Sequence, residues 1–76
     1  MRSLTWLERI ISVFDLRSEA DLTEIYDVIE KKWPEVLTKR WQATVRKEIE
    51  THCRSSANFK GEEIFVWVGP GRYRLV

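Results

Sequence analysis

Three stretches with apolar residues at helical spacing, followed by two β-rich runs about a glycine-flanked turn, predict an α+β fold: three helices, then a C-terminal β-hairpin. In the first stretch Leu4, Leu7, Ile10, Ile11 and Phe14 share a face, and Thr5 with Glu8 has the spacing of a capping box. That helix is expected to end near Phe14, with Asp15 to Ala20 as a polar connector. Asp21-x-x-Glu24, or Thr23, caps a second helix that turns Leu22, Ile25, Val28 and Ile29 inward. Pro34 stops it, because proline disfavours helix at the residue before it; Trp33 to Leu37 then forms a short turn. Thr38 is the expected cap of the third helix, in which Trp41, Val45 and Ile49 recur every fourth residue, flanked by Glu48 and His52. At about 100° per residue, Lys39, Ala43, Arg46, Lys47 and Glu50 fall on the opposite face, with Arg40 at its edge. Arg54 to Asn58 reads as a loop. Ile64 to Val68 and Arg72 to Val76 read as strands joined by Gly69-Pro70-Gly71, and residues around Ala20 to Leu22 are candidates for a short third strand.

A chain of 76 residues is expected to form one domain, residues 1–76, since two cores could not each bury enough apolar surface to offset the ordering of the backbone. The composition, 43% apolar and 33% charged, fits a soluble globular protein rather than a disordered or membrane-embedded one. Trp6, Trp33, Trp41 and Trp67 are expected to supply the core that disulfides give other small domains. Cys53 is the single cysteine, which excludes an intramolecular disulfide and a cysteine-based zinc framework and fits a reducing compartment. The longest apolar stretch, Ile64 to Gly69, is too short to span a bilayer, and the N-terminus lacks the plan of a signal peptide; cytoplasmic residence is the expectation. Charge is divided unevenly. Residues 1–37 carry five basic and eight acidic side chains, residues 38–76 eight basic and four acidic, so electropositive surface belongs to the C-terminal half.

Three helices followed by a hairpin, with a tight turn between the second and third, is the element order of a winged helix-turn-helix, whose third helix can enter the major groove of double-stranded DNA. The candidate nucleic-acid-binding residues are Thr38, Lys39, Arg40, Gln42, Ala43, Arg46 and Lys47 on and before that helix, with Arg72 and Arg74 on the wing. Backbone amides and the Thr38 hydroxyl suit phosphates; Gln42, Arg46 and Lys39 have the length to reach base edges, and Ala43 suits a thymine methyl. Arg72 and Arg74 suit phosphate or the minor groove, next to a slim glycine-flanked tip.

Lys39-Arg40-Trp41-Gln42-Ala43-Thr44-Val45-Arg46, Ser55-Ser56-Ala57-Asn58-Phe59-x-Gly61 and Phe65-x-x-Val68-Gly69-x-Gly71-x-Tyr73-x-Leu75 carry a resemblance over Leu22 to Leu75. There the chain resembles the small winged helix-turn-helix domains attached to prokaryotic restriction-type and HNH endonucleases, related to the wider HARE-type helix-turn-helix class. The resemblance implies a DNA-reading module that delivers a partner nuclease or other effector, in restriction-modification or in transcription regulation. The chain itself carries no nuclease portion.

Each residue also has a plainer reading. The cationic face of the third helix can be ordinary solvated surface, and Arg72 and Arg74 can merely blunt a sheet edge. Trp41 belongs to the core stripe rather than to a base contact. His52 and Cys53 are two adjacent donors, too few for a closed metal site, and no second histidine serves Cys53 as a base. Glu62-Glu63 and Glu48-x-Glu50 do not follow nuclease spacing, and Gly69-Pro70-Gly71 lacks the helix and lysine of a phosphate loop. The expectation is therefore a non-catalytic protein with no cofactor, metal, small-molecule substrate or membrane partner, which binds double-stranded DNA and pairs with an effector protein or a second copy. The competing expectation is a protein-interaction or dimerisation module of the same fold that binds no nucleic acid, signalled by solvent-accessible Trp6 or Trp33.

Overall fold

The computed structural model describes residues 4–15 and 17–76; Arg2, counted above in the charge of the acidic half, and Leu16 of the connector lie outside the described residues. Helix α1 (Trp6–Val13) leads to a short strand β1 (Ala20–Asp21), helix α2 (Leu22–Lys32), a single 3-10 turn (Pro34–Val36), helix α3 (Trp41–Thr51) and the strands β2 (Phe65–Gly69) and β3 (Arg72–Leu75). The sheet is antiparallel in the order β1-β3-β2. This is an α+β fold with winged-helix-like topology.

Local chemistry sets most boundaries. Thr5 accepts from the Glu8 amide at 3.1 Å while Glu8 accepts from the Thr5 amide at 2.8 Å, so two amides that α1 leaves unpaired are satisfied reciprocally. Asp21 and Glu24 repeat the device at the start of α2, at 2.8 and 3.0 Å. That helix ends at Trp33 because Pro34 follows, and Lys31 and Lys32 in its last turn oppose the partial negative charge of its C-terminus.

The third helix departs from expectation at its start. It begins at Trp41, and its N-cap is Arg40, with no side-chain cap. Thr38 contributes its carbonyl, which accepts from the Trp41 amide at 3.3 Å, so Lys39 and Arg40 sit in a turn before the helix. Thr38, Lys39 and Arg40 are all exposed, and the helix starts only where Trp41 gives it a side chain to bury.

The buried residues form a single cluster from α1 (Ile10, Val13), α2 (Ile25, Ile29), α3 (Trp41, Val45, Ile49), β1 (Ala20) and β2 (Phe65), with Phe14 and Cys53. The tryptophans divide. Trp41 is buried and stacks on half-buried Trp6 with ring centroids 6.4 Å apart, while Tyr26 meets it edge-on at 5.6 Å. The Arg9 guanidinium lies 5.0 Å from the Trp6 ring and 6.0 Å from that of half-buried Trp33, a cation–aromatic contact that accommodates a buried charge.

Trp67 corrects the expectation of a fourth core tryptophan: it is 49% exposed. Strand alternation puts it on the face of Phe65, but Val68 is an extra residue between the pairs Trp67–Tyr73 and Gly69–Arg72. Such a bulge bends and twists the strand, so the hairpin tip leaves the helices and Val68 is exposed as well. The turn places Pro70 before Gly71 at φ 67°, the order of a type II turn, in which only glycine adopts the second position without strain.

Candidate nucleic-acid interface

The nine residues that the sequence marks for nucleic acid are all exposed, but they do not share one surface. Gln42, Ala43, Arg46 and Lys47 project from α3 away from Trp41, Val45 and Ile49, and Lys39 and Arg40 extend the group through the preceding turn. Val45 and Ile49 are completely buried, which fixes the rotation of the helix and with it the direction of the cationic face. No ion pair joins Lys39, Arg40, Arg46 or Lys47 to an acidic side chain among the described residues.

Four carboxylates of the acidic half are engaged elsewhere. Glu24 pairs with Arg17 at 2.8 Å and Asp27 with Lys31 at 3.1 Å, both within the N-terminal half. Glu19 and Asp21 lie 3.6 and 4.0 Å from the Arg72 guanidinium, a consequence of the register that sets Asp21 opposite Arg72. Arg72 thus has two acidic neighbours. Arg74 donates to the Leu75 carbonyl at 3.2 Å, and the strand pleat sets both arginines on the side opposite Tyr73, whose side chain approaches α3. The wing arginines therefore stand apart from the cations of α3.

Aromatic groups border α3 on its sheet side. The Tyr26 hydroxyl donates to the Gln42 carbonyl at 3.4 Å. Burial raises the pKa of Tyr26; Arg46 opposes the rise, and Tyr73 and Glu50 add to it. Tyr73 is raised likewise, by burial first and then by Cys53 and Glu50, with Arg46 opposing. Arg46 thus lies within electrostatic reach of both phenols.

The sign of these shifts sets a pH dependence. A phenol whose folded-state pKa is raised gives up its proton more readily in the unfolded chain, so its contribution is complete below about pH 10 and is lost as the pH rises through the folded value. The melting temperature, followed by circular dichroism, is expected to fall above about pH 10, and Tyr26→Phe or Tyr73→Phe to lessen that fall. A melting temperature that rises with pH in this window contradicts the assignment.

His52 and Cys53 are built into the junction between α3 and β2. The His52 carbonyl accepts from the amides of Ile64 at 2.8 Å and Phe65 at 3.0 Å, its ring Nδ1 lies 3.1 Å from the Glu62 carbonyl, and Cys53 is buried and bridges Phe65. Among the described residues no group of three His, Cys, Asp or Glu side chains is placed to hold a metal ion, and no helix is long and apolar enough to cross a membrane.

Sequence reasoning passed over a region beside the cationic face. The loop 54–60 folds back on α3 and, with exposed Trp67 and with Tyr73, frames two adjoining clefts. Lys60, Asn58 and Glu50 reach these clefts but showed only as loop or solvated-helix residues, since neither spacing nor periodicity reports where an irregular loop docks.

Comparison with known proteins finds no family model, no curated protein and no solved structure that matches this chain. The functional reading therefore stands on the fold and on the placement of the side chains.

Proposed function

We propose that this chain is a DNA-binding winged-helix module that lays α3 in the major groove of double-stranded DNA, sets the β2–β3 wing against backbone or minor groove, and catalyses no reaction. One observation carries the reading: Lys39, Arg40, Arg46 and Lys47 form an exposed group without acidic partners among the described residues, on a helix whose reverse side is fully buried. A groove about 12 Å wide accepts one helix, and cations fixed on its outer side displace condensed counterions from the phosphates. Gln42 and Arg46 are the residues for base edges, Ala43 leaves room for close approach, and Lys39, Arg40 and Lys47 meet phosphates. Arg72 and Arg74 contribute less, since Arg72 is already paired and both point away from α3. The cytoplasmic setting and a nuclease or other effector as protein partner extend this reading on the strength of the resemblance named above. The non-catalytic part rests on the burial of the Cys53 thiol and on the lack of a second histidine or cysteine in the sequence to act with His52.

Titration of the isotope-labelled chain with a duplex, followed by amide chemical shifts, tests the proposal. Shifts concentrated between Lys39 and Lys47 are expected, with the α1 face unmoved. Absence of shifts, or shifts confined to the surface of Trp6 and Trp33, would sink it and favour the protein-interaction reading.

A further inference from the structure

The two clefts beside α3 are unlike in chemistry and lie on a shared segment, Ala57 and Asn58. The first, of about 570 Å³, is lined by Trp67 and Tyr73 from the hairpin and by Glu50 and Asn58; that is within the range of about 300–1,000 Å³ found for small-molecule sites. The second, of about 550 Å³, shares Ala57 and Asn58 with the first and is lined by Lys47, Lys60 and Thr51.

We propose that together they hold one unpaired nucleotide of a nucleic-acid strand, with its base against Trp67 in the first cleft and its phosphate on Lys47 and Lys60 in the second. The inference rests on the DNA-binding reading above and adds a ligand class to it. Trp67 is half exposed and makes no ring contact with another aromatic group among the described residues, so an indole face is available for stacking. Glu50 accepts from Asn58 Nδ2 at 3.0 Å through Oε1, which leaves Oε2 to accept from the exocyclic amino group of cytosine or adenine. The same carboxylate repels a phosphate. Lys47 and Lys60 are exposed and form no ion pair with a described residue, so the anionic end is directed to the second cleft. The wall between the clefts is set before binding: the Ser56 amide donates to Cys53 at 3.0 Å, Phe59 to Ser56 at 3.2 Å and Lys60 to Thr51 at 2.9 Å. A base inside an intact duplex cannot reach such a cleft, so the site selects nucleotides that are bulged, mismatched or extruded.

Binding of two labelled duplexes, identical except for one bulged cytosine, tests the proposal at fixed salt. The bulged duplex is expected to bind about tenfold more tightly. Trp67→Ala is expected to abolish that advantage while leaving the paired duplex within about twofold, and Trp67→Phe, which keeps an aromatic face, to retain most of it. Glu50→Gln is expected to reduce the preference for a bulged cytosine over a bulged thymine. Equal binding of the two duplexes by the unmodified chain overturns the nucleotide site and leaves the DNA-binding reading standing. Equal weakening of both by Trp67→Ala, with Trp67→Phe no better, overturns it too, by giving Trp67 a merely structural role. Failure to bind either duplex removes both readings.

Discussion

Phe65→Ala is expected to destabilise the chain by about 3–5 kcal/mol, the ordinary cost of deleting a fully buried aromatic side chain and leaving a cavity. Phe65 is completely buried, its ring centroid lies 6.0 Å from that of Phe14, and its amide ties the start of β2 to the end of α3 through the His52 carbonyl at 3.0 Å. It is the fully buried residue of the hairpin, with Tyr73 and Leu75 packed partly buried against the same core, while the next inward position of β2, Trp67, has already left it. A chain of 76 residues has a total stability of only about 4–11 kcal/mol at the usual value per residue. The substitution therefore removes a large share of it and lowers the melting temperature by on the order of 20 °C. Urea unfolding followed by tryptophan fluorescence measures the change, with Val76→Ala, at a site 71% exposed, as the neutral control. A loss below about 1 kcal/mol would mean that the hairpin is not part of the cooperative core.

Reversing two charges on α3, in the double variant Arg46→Glu and Lys47→Glu, is expected to weaken duplex binding by at least about tenfold while leaving stability within about 0.5 kcal/mol. The separation of the two effects follows from geometry. Both side chains are exposed on the face opposite Val45 and Ile49, so neither supports the core, and no acidic partner among the described residues is stranded by their loss. The same exchange at Arg72 disturbs folding instead, because Glu19 and Asp21 would then face a third carboxylate. An affinity unchanged in the double variant would mean that nucleic acid does not meet this face of α3.

Both capping boxes, the stop at Pro34 and the stripe of Trp41, Val45 and Ile49 were legible because each rests on spacing within one turn or one helix. The short β1 strand was legible through the need of a two-stranded hairpin for further support. The start of α3 was not, because Thr38 has the side chain of an N-cap, while the choice between helix and turn at Lys39 and Arg40 was made by where Trp41 had to be buried. The exposure of Trp67 was hidden for a related reason: alternation correctly gives its face of the sheet but not where the core ends or that Val68 bulges. Among the candidate site residues, the helix cations could be placed by counting around α3. The pairing of Arg72 with Glu19 and Asp21 depends on β1 lying beside β3, a register between distant segments that periodicity does not report.

The most direct measurement is the affinity for a fully paired duplex across a salt series. Each phosphate neutralised contributes a slope of about −0.9 to a plot of log K against log salt. The three cations assigned to phosphates, Lys39, Arg40 and Lys47, lead to an expected total slope of roughly −3, falling in magnitude by about 1 in the Arg46→Glu, Lys47→Glu variant. Binding that is absent at low salt, or that does not change with salt, would contradict it.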